Sequence, residues 1–147
     1  MAALDPARTL AVAARVLERG LDDMTLPQFR ILSLIAASPE RAGRIASRAA
    51  VSRPSLSGIL DGLVKRGWVR RIDVDGDGRG VTLEITPDGR RALDGAAAAA
   101  NGRLEAVLSN VDGAERARAL DGLAALGHAL ERHLTGERPA PRAGARR

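Results

Sequence analysis

The stretch from Ser52 to Gly67 constrains the fold more than any other part of the chain, because it has the pattern of a helix with a marked beginning. Ser52 is a residue type favoured at the N-cap, and Pro54 suits the first helical turn, where no backbone N–H is needed. Apolar residues then recur at intervals of three and four, which predicts one buried face. That face comprises Leu56, Ile59, Leu60, Leu63 and Val64.

A second helix-forming run, Arg44 to Ala50, lies immediately upstream. Two helices joined by so short a turn predict a helix-turn-helix, which places its second helix in the major groove of DNA. Arg53, Ser55 and Ser57 fall in the first turns of that second helix. Because Arg can bond guanine O6 and N7, and Ser can reach a base edge or a phosphate, we expect all three to contact DNA.

A β-hairpin is predicted directly after this helix. Trp68 to Ile72 and Val81 to Thr86 are strand candidates, and the second alternates apolar and polar residues. Between them, Asp73 to Gly80 is a run of turn-forming residues rich in Gly. A hairpin in this position is the wing of a winged helix-turn-helix.

With these motifs the chain resembles the MarR family of transcriptional regulators. The family's wing signature, D-x-R-x-x-x-V-x-L-T-x-x-G, is matched here by Asp77, Arg79, Leu83, Ile85, Thr86 and Gly89. Upstream, the resemblance includes Leu26 and Gln28, Ile45 and Ala46, residues 52–55, and Leu63 to Val69 with Arg71. It implies that Arg79 enters the minor groove, where a narrow groove has the most negative potential. It also implies that Asp77 supports Arg79 or the turn.

The resemblance further implies a homodimeric repressor, which binds a pseudo-palindromic DNA site and releases it when a small, often aromatic or phenolic, effector binds. The effector would occupy a cleft between the dimerisation helices and the DNA-binding region. The candidate lining residues come from the first two helices and are Leu17, Leu21, Phe29, Arg30 and Leu32, with Arg30 as the partner of an anionic group.

The charge of the central region favours a polyanionic partner. From Arg41 to Arg91 there are eleven Arg and Lys against six Asp and Glu, and the whole chain has a net charge of +5. We therefore expect phosphate contacts, which position a protein without reading sequence, from Arg44, Arg48, Arg70 and Arg71. Each of them could also be an ordinary solvated surface charge.

Helices are predicted on both sides of the winged helix. The first has an apolar stripe through Leu10, Leu17 and Leu21 and a second, weaker one through Val12 and Val16, so it needs two packing partners. The expected division is an N-terminal dimerisation helix at 1–24, the winged helix-turn-helix at 25–89, C-terminal dimerisation helices at 90–135 and a disordered basic tail at 136–147. The fold class is thus mainly α with a small β-hairpin.

Several other classes of function lack the residues they need. The chain has no Cys, which excludes disulfides and thiolate metal sites. His128 and His133 are five residues apart, which does not suit a helical metal pair. Asp73, Asp75, Asp77 and Glu84 resemble a calcium loop, but strands rather than helices flank it. We therefore expect no enzyme activity, cofactor or metal, and, because no apolar run approaches about 20 residues, a cytoplasmic protein without a membrane partner.

A second hypothesis belongs to another class. A winged helix can also serve as an interaction or architectural module, which dimerises and binds a protein partner without sequence-specific DNA recognition. DNA binding that depended only on charge would favour this alternative.

Overall fold

The structure is a computed structural model that describes residues 5–49, 51–73 and 81–136. The chain forms two compact units, Met1–Leu108 and Ser109–Arg147. In the described part of the first unit, the elements in chain order are α1 (Pro6–Glu18), α2 (Leu26–Ala37), β1 (Glu40–Arg41), α3 (Ala42–Ala49), α4 (Arg53–Lys65), β2 (Val69–Asp73), β3 (Val81–Ile85) and α5 (Pro87–Leu108). The second unit contains α6 (Gly113–Thr135).

Helix α2 is the central element of the first unit, where it packs against α3, α4, α5 and β3. Its Leu32 is completely buried, and so are Ile45 of α3 and Leu63 of α4. The buried positions of α4 are the predicted Leu56, Leu60 and Leu63, with Ile59 and Val64 partly buried at the edge of the core. The apolar stripe in the sequence therefore correctly identified the buried face of the recognition helix.

The starts of three helices are fixed by side chains. Thr25 and Gln28 form a capping box at α2, with each side chain bonded to the other's backbone N–H. The Ser52 hydroxyl accepts from the amide of Ser55 at α4, and Asp112 accepts from the amide of Glu115 at α6. Asp5 stands at the N-cap of α1, but its side chain makes no capping hydrogen bond there.

The three strands form an antiparallel sheet in the order β1-β3-β2. The hairpin of β2 and β3 pairs Arg70 with Glu84 and Arg71 with Leu83, which confirms the predicted wing. Strand β1 is only two residues long, because α3 already begins at Ala42. The tip of the wing, residues 74–80, lies outside the described residues.

The wing, the recognition helix and α5 meet at the turn between α4 and β2. The Thr86 hydroxyl donates to the carbonyl of Gly67 at 2.6 Å and accepts from the amide of Gly89 at 3.0 Å. The amide of Thr86 donates to the carbonyl of Trp68 at 3.0 Å. Gly67 has a φ of 72°, a left-handed conformation that favours glycine. The Thr and Gly of the wing signature thus act together to join three elements.

The two flanking helices α1 and α6 expose apolar side chains. No residue of α1 is buried, and Leu10 and Val12 are 52% and 55% exposed. In α6, Leu123, Leu130 and Leu134 are 44–50% exposed. The predicted basic tail lies outside the described residues except for Gly136. Among the helices described, none is both long and apolar enough to cross a bilayer.

Gly89 provides a test of the junction. A Cβ at this position would lie 2.1 Å from the carbonyl oxygen of Trp68, so Gly89→Ala must push α5 away from the turn. We expect a loss of at least about 2 kcal/mol in the free energy of unfolding, measured in urea. A Cβ at Gly95, in the same helix, meets nothing within 4 Å. Gly95→Ala should therefore stabilise the protein by about 0.5–1 kcal/mol, and equal effects of the two substitutions would contradict this packing.

Candidate nucleic-acid interface

Arg53 and Ser57 lie together on the exposed flank of the recognition helix α4. They are one helical turn apart, and both line a groove of about 290 Å³. The N-terminus of α3 contributes Ala42 and Gly43 to the opposite side, and their small side chains leave the groove open. Two of the three predicted base-contacting residues therefore share one accessible surface, which we call the reading groove.

Ser55 occupies a different position. It precedes Ser57 by two residues, which places the two side chains about 160° apart around a helix. The hydroxyls of Ser52 and Ser55 are 2.8 Å apart and hydrogen-bonded. Ser52 is thus fully used as the N-cap, and Ser55 packs against that cap rather than beside Arg53. The structure supports the role of Ser52 as an N-cap and does not bring Ser55 to the reading groove.

Three of the arginines expected at phosphates are paired with carboxylates inside the molecule. Arg48 of α3 lies 2.5 Å from Glu40, Arg70 lies 2.8 Å from Glu84, and Arg71 lies 2.7 Å from Asp61. Arg70 and Arg71 are adjacent in β2, so their side chains leave opposite faces of the sheet. The ion pairs also differ in burial: Glu40 is 12% exposed, whereas Asp61 is 64% exposed.

Arg44 and Arg53 differ from those three arginines. Both are exposed, and neither has an ion pair with any residue that the structure describes. They are therefore available to an external anion without first breaking an internal contact. The two wing residues Asp77 and Arg79 lie outside the described residues, so their expected roles remain predictions.

Arg66, at the end of α4, is a positioning residue that the sequence patterns did not single out. Its guanidinium donates to the carbonyl of Asp23 at 2.7 Å, and it lies 4.7 Å from the centre of the Trp68 ring. It therefore ties the end of the recognition helix to the loop between α1 and α2. Its partners Asp23 and Trp68 lie in different segments of the chain, so no pattern within one helix could identify its role.

Four of the five residues predicted to line an effector pocket, all but Arg30, belong to one hydrophobic core or pack against it. Leu32 is fully buried, and Leu17 and Phe29 pack against the core. The guanidinium of Arg30 donates to the carbonyl of Ala49 at 2.6 Å, which satisfies the last residue of α3 and accounts for Arg30 without a ligand.

Leu21 does line a cavity, but with other neighbours. This cavity, of about 210 Å³, is formed with the α1–α2 loop, Trp68 and the first half of α5. Its remaining lining residues are Asp22, Asp23, Met24, Arg91, Ala92, Gly95 and Ala96.

Over residues 5–49, 51–73 and 81–136, no three His, Asp or Glu side chains are grouped as a metal site would require.

A three-stranded sheet behind two helices of a helix-turn-helix, with an exposed recognition helix, defines a winged helix-turn-helix DNA-binding fold. The comparisons with known proteins specify the family. A model of the MarR family matches residues 22–80, which span α2 to the wing.

The HTH-type transcriptional regulator YfiV of Bacillus subtilis is 28% identical over 110 residues, which cover 74% of this chain and 69% of that protein. The multiple antibiotic resistance protein MarR of Salmonella typhimurium is 34% identical over 71 residues, or 46% of this chain, and the match spans about half of that protein, 47%. Among solved structures, the transcriptional repressor CouR bound to a 23-mer DNA duplex is 28% identical, with a TM-score of 0.68 over 82% of this chain and 87% of that one.

The family model, the relatives and the solved structures therefore agree that residues 22–80 are similar to the MarR family of transcriptional regulators and have its DNA-binding fold. The relatives named by these comparisons are transcriptional regulators.

Proposed function

We propose that the protein is a homodimeric repressor that binds a pseudo-palindromic operator through α4. The observation that carries this proposal is the reading groove, in which Arg53 and Ser57 are exposed and Arg53 has no ion pair within the described residues. Arg53 would bond guanine and thereby specify a base pair, with Ser57 at a neighbouring base edge or phosphate. The similar transcriptional repressor CouR is bound to a 23-mer DNA duplex in its solved structure, which supports DNA as the partner.

The arginines outside the groove would hold the protein on the duplex. Arg44 is free to contact phosphate, whereas Arg48, Arg70 and Arg71 would first exchange a carboxylate for a phosphate. The wing would extend this contact, with Arg79 in the minor groove beside the recognition helix and Asp77 as its support.

The dimer would be formed by the terminal helices. Leu10 and Val12 of α1, and the row of exposed leucines on α6, are large apolar side chains for which a second copy of the chain is the natural partner. A two-fold axis would place two α4 helices about 34–36 Å apart, one turn of DNA. Occupation of such a site would block transcription.

A small effector would bind in the cavity beside Trp68. Its volume of about 210 Å³ exceeds the roughly 150 Å³ that accommodates benzene in an apolar cavity. Leu21, Met24 and Trp68 supply apolar contact. The carboxylates of Asp22 and Asp23 outnumber the one lining cation, Arg91, which is itself paired with Asp88, so the site disfavours an anionic ligand. Of the lining residues expected from the sequence, this site includes Leu21, and it would suit a neutral one-ring phenol.

Selection of bound duplexes from a random DNA pool, at two salt concentrations, tests the function. We expect an inverted repeat whose half-sites are one turn apart. Arg53→Ala should cost about 1–3 kcal/mol at one base pair of each half-site, because the bidentate contact to guanine is lost. Arg8→Ala removes the same charge from α1 and should leave the recovered sequence unchanged. Recovery of sequence-blind, salt-sensitive binding alone would favour the interaction or architectural module.

Oligomeric state tests the role of α6. The protein should sediment as a dimer at micromolar concentration, and Leu130→Glu should shift it to a monomer because a charge would enter an apolar interface. Ala125→Glu, on the opposite side of α6, is the matched control and should remain dimeric. A monomeric wild-type protein would refute the dimer and the spacing of half-sites derived from it.

Trp68 allows the effector site to be tested directly, because it is the only Trp and the chain has no Tyr. Addition of phenol should change Trp68 fluorescence saturably, and benzoate should act more weakly because of the two nearby carboxylates. Ala92→Leu, which fills the cavity, should abolish the change, whereas Ala98→Leu on an exposed side of α5 should not. An unsaturable response, equal in all variants, would mean that this cavity is not the site.

A further inference from the structure

Asp61 is an acidic residue on the DNA-facing flank of the recognition helix. Arg53, Ser57 and Asp61 are spaced by four residues, so they form one row along α4. Ser57 and Asp61 are therefore about 6 Å apart along the helix axis. A carboxylate in this row would repel DNA phosphates unless a cation compensated it.

That cation is Arg71, whose guanidinium donates to Asp61 at 2.7 Å from the neighbouring strand β2. The ion pair is open to solvent, with Arg71 49% and Asp61 64% exposed. Exposed ion pairs of this kind contribute little to the stability of the folded chain, so stability alone is a weak reason for a carboxylate here. Asp61 does, however, hold Arg71, which would otherwise face the phosphate backbone.

The other two carboxylate partners have different surroundings. Glu84 lies opposite Arg70 in the hairpin, which makes their contact an ordinary cross-strand pair. Glu40 is largely buried and joins β1 to α3 through Arg48. Asp61 is the partner that lies on the recognition helix itself, in the row of the reading groove.

We propose that Asp61 limits the sequence-independent affinity of the protein for DNA by holding Arg71 away from phosphate. This inference rests on the proposed binding of DNA through α4. Each phosphate that a protein neutralises adds about 0.9 to the slope of log affinity against log salt. An arginine kept on Asp61 adds no such contribution, so the protein binds random DNA more weakly and with a shallower salt dependence than its count of arginines implies.

Asp61→Asn provides the test, with a random-sequence duplex as the probe and binding measured from about 50 to 300 mM salt. The variant should bind about tenfold more tightly at the lowest salt, and its salt slope should steepen by about 0.9. Asp94→Asn on α5 is the control, because it makes the same change in net charge at an exposed position away from α4. It should change the slope by much less.

Arg71→Ala completes a double-mutant cycle. In the Asp61→Asn background, where Arg71 has been released, Arg71→Ala should lower the salt slope. In the wild-type background the same substitution should lower the slope by less than half as much. Equal losses in both backgrounds, or an Asp61→Asn variant that matches Asp94→Asn, would overturn the inference while leaving the proposed function intact. A wild-type protein that binds no duplex at all would overturn both, and thermal unfolding of each variant confirms that it is folded.

Discussion

The hydrogen bonds of Thr86 at the turn between α4 and β2 determine where the recognition helix, the wing and α5 stand relative to one another. The Thr86 hydroxyl accepts from the amide of Gly89 at the start of α5 and donates to the carbonyl of Gly67. The backbone amide of Thr86 donates to the carbonyl of Trp68. The backbone of α5 approaches Trp68 so closely that only glycine fits at position 89. A helix outside the DNA-binding motif is thereby joined to the wing without an intervening linker.

This junction explains why the Thr and Gly of the wing signature occur three residues apart. The spacing is that of an N-cap and the amide it accepts from, and in the same turn Gly89 faces the chain it must pack against. The sequence patterns identified both residues as members of the wing signature, with Thr86 at the end of a strand candidate. They could not show that the helix start packs against Trp68, since that contact joins segments about 20 residues apart.

The same distinction separates the correct from the incomplete predictions at the candidate interface. The buried stripe of α4 and the cap at Ser52 follow from helical periodicity and were correct. Ser55 and Ser57 looked equivalent as hydroxyls in the first turns, yet their different directions around the helix give only Ser57 a place in the reading groove. The partners of Arg48, Arg70 and Arg71 depend on which strand and helix come together, and periodicity within one segment carries no such information.

Counting charges along the chain also gives an incomplete description of the interface. The eleven basic and six acidic residues from Arg41 to Arg91 indicate a surface that attracts DNA. This count does not distinguish an arginine that has an ion pair from one that has none. To contact a guanine, Arg53 would lose only its hydration. To contact a phosphate, Arg71 would also have to break its ion pair with Asp61. If Arg53 reads a base and Arg71 contacts phosphate, as proposed, internal carboxylates would weaken the contribution that all DNA shares while the contribution of a matched base pair would be retained. Ion pairs that stabilise the fold only slightly can thus still decide how strongly the surface distinguishes one duplex from another.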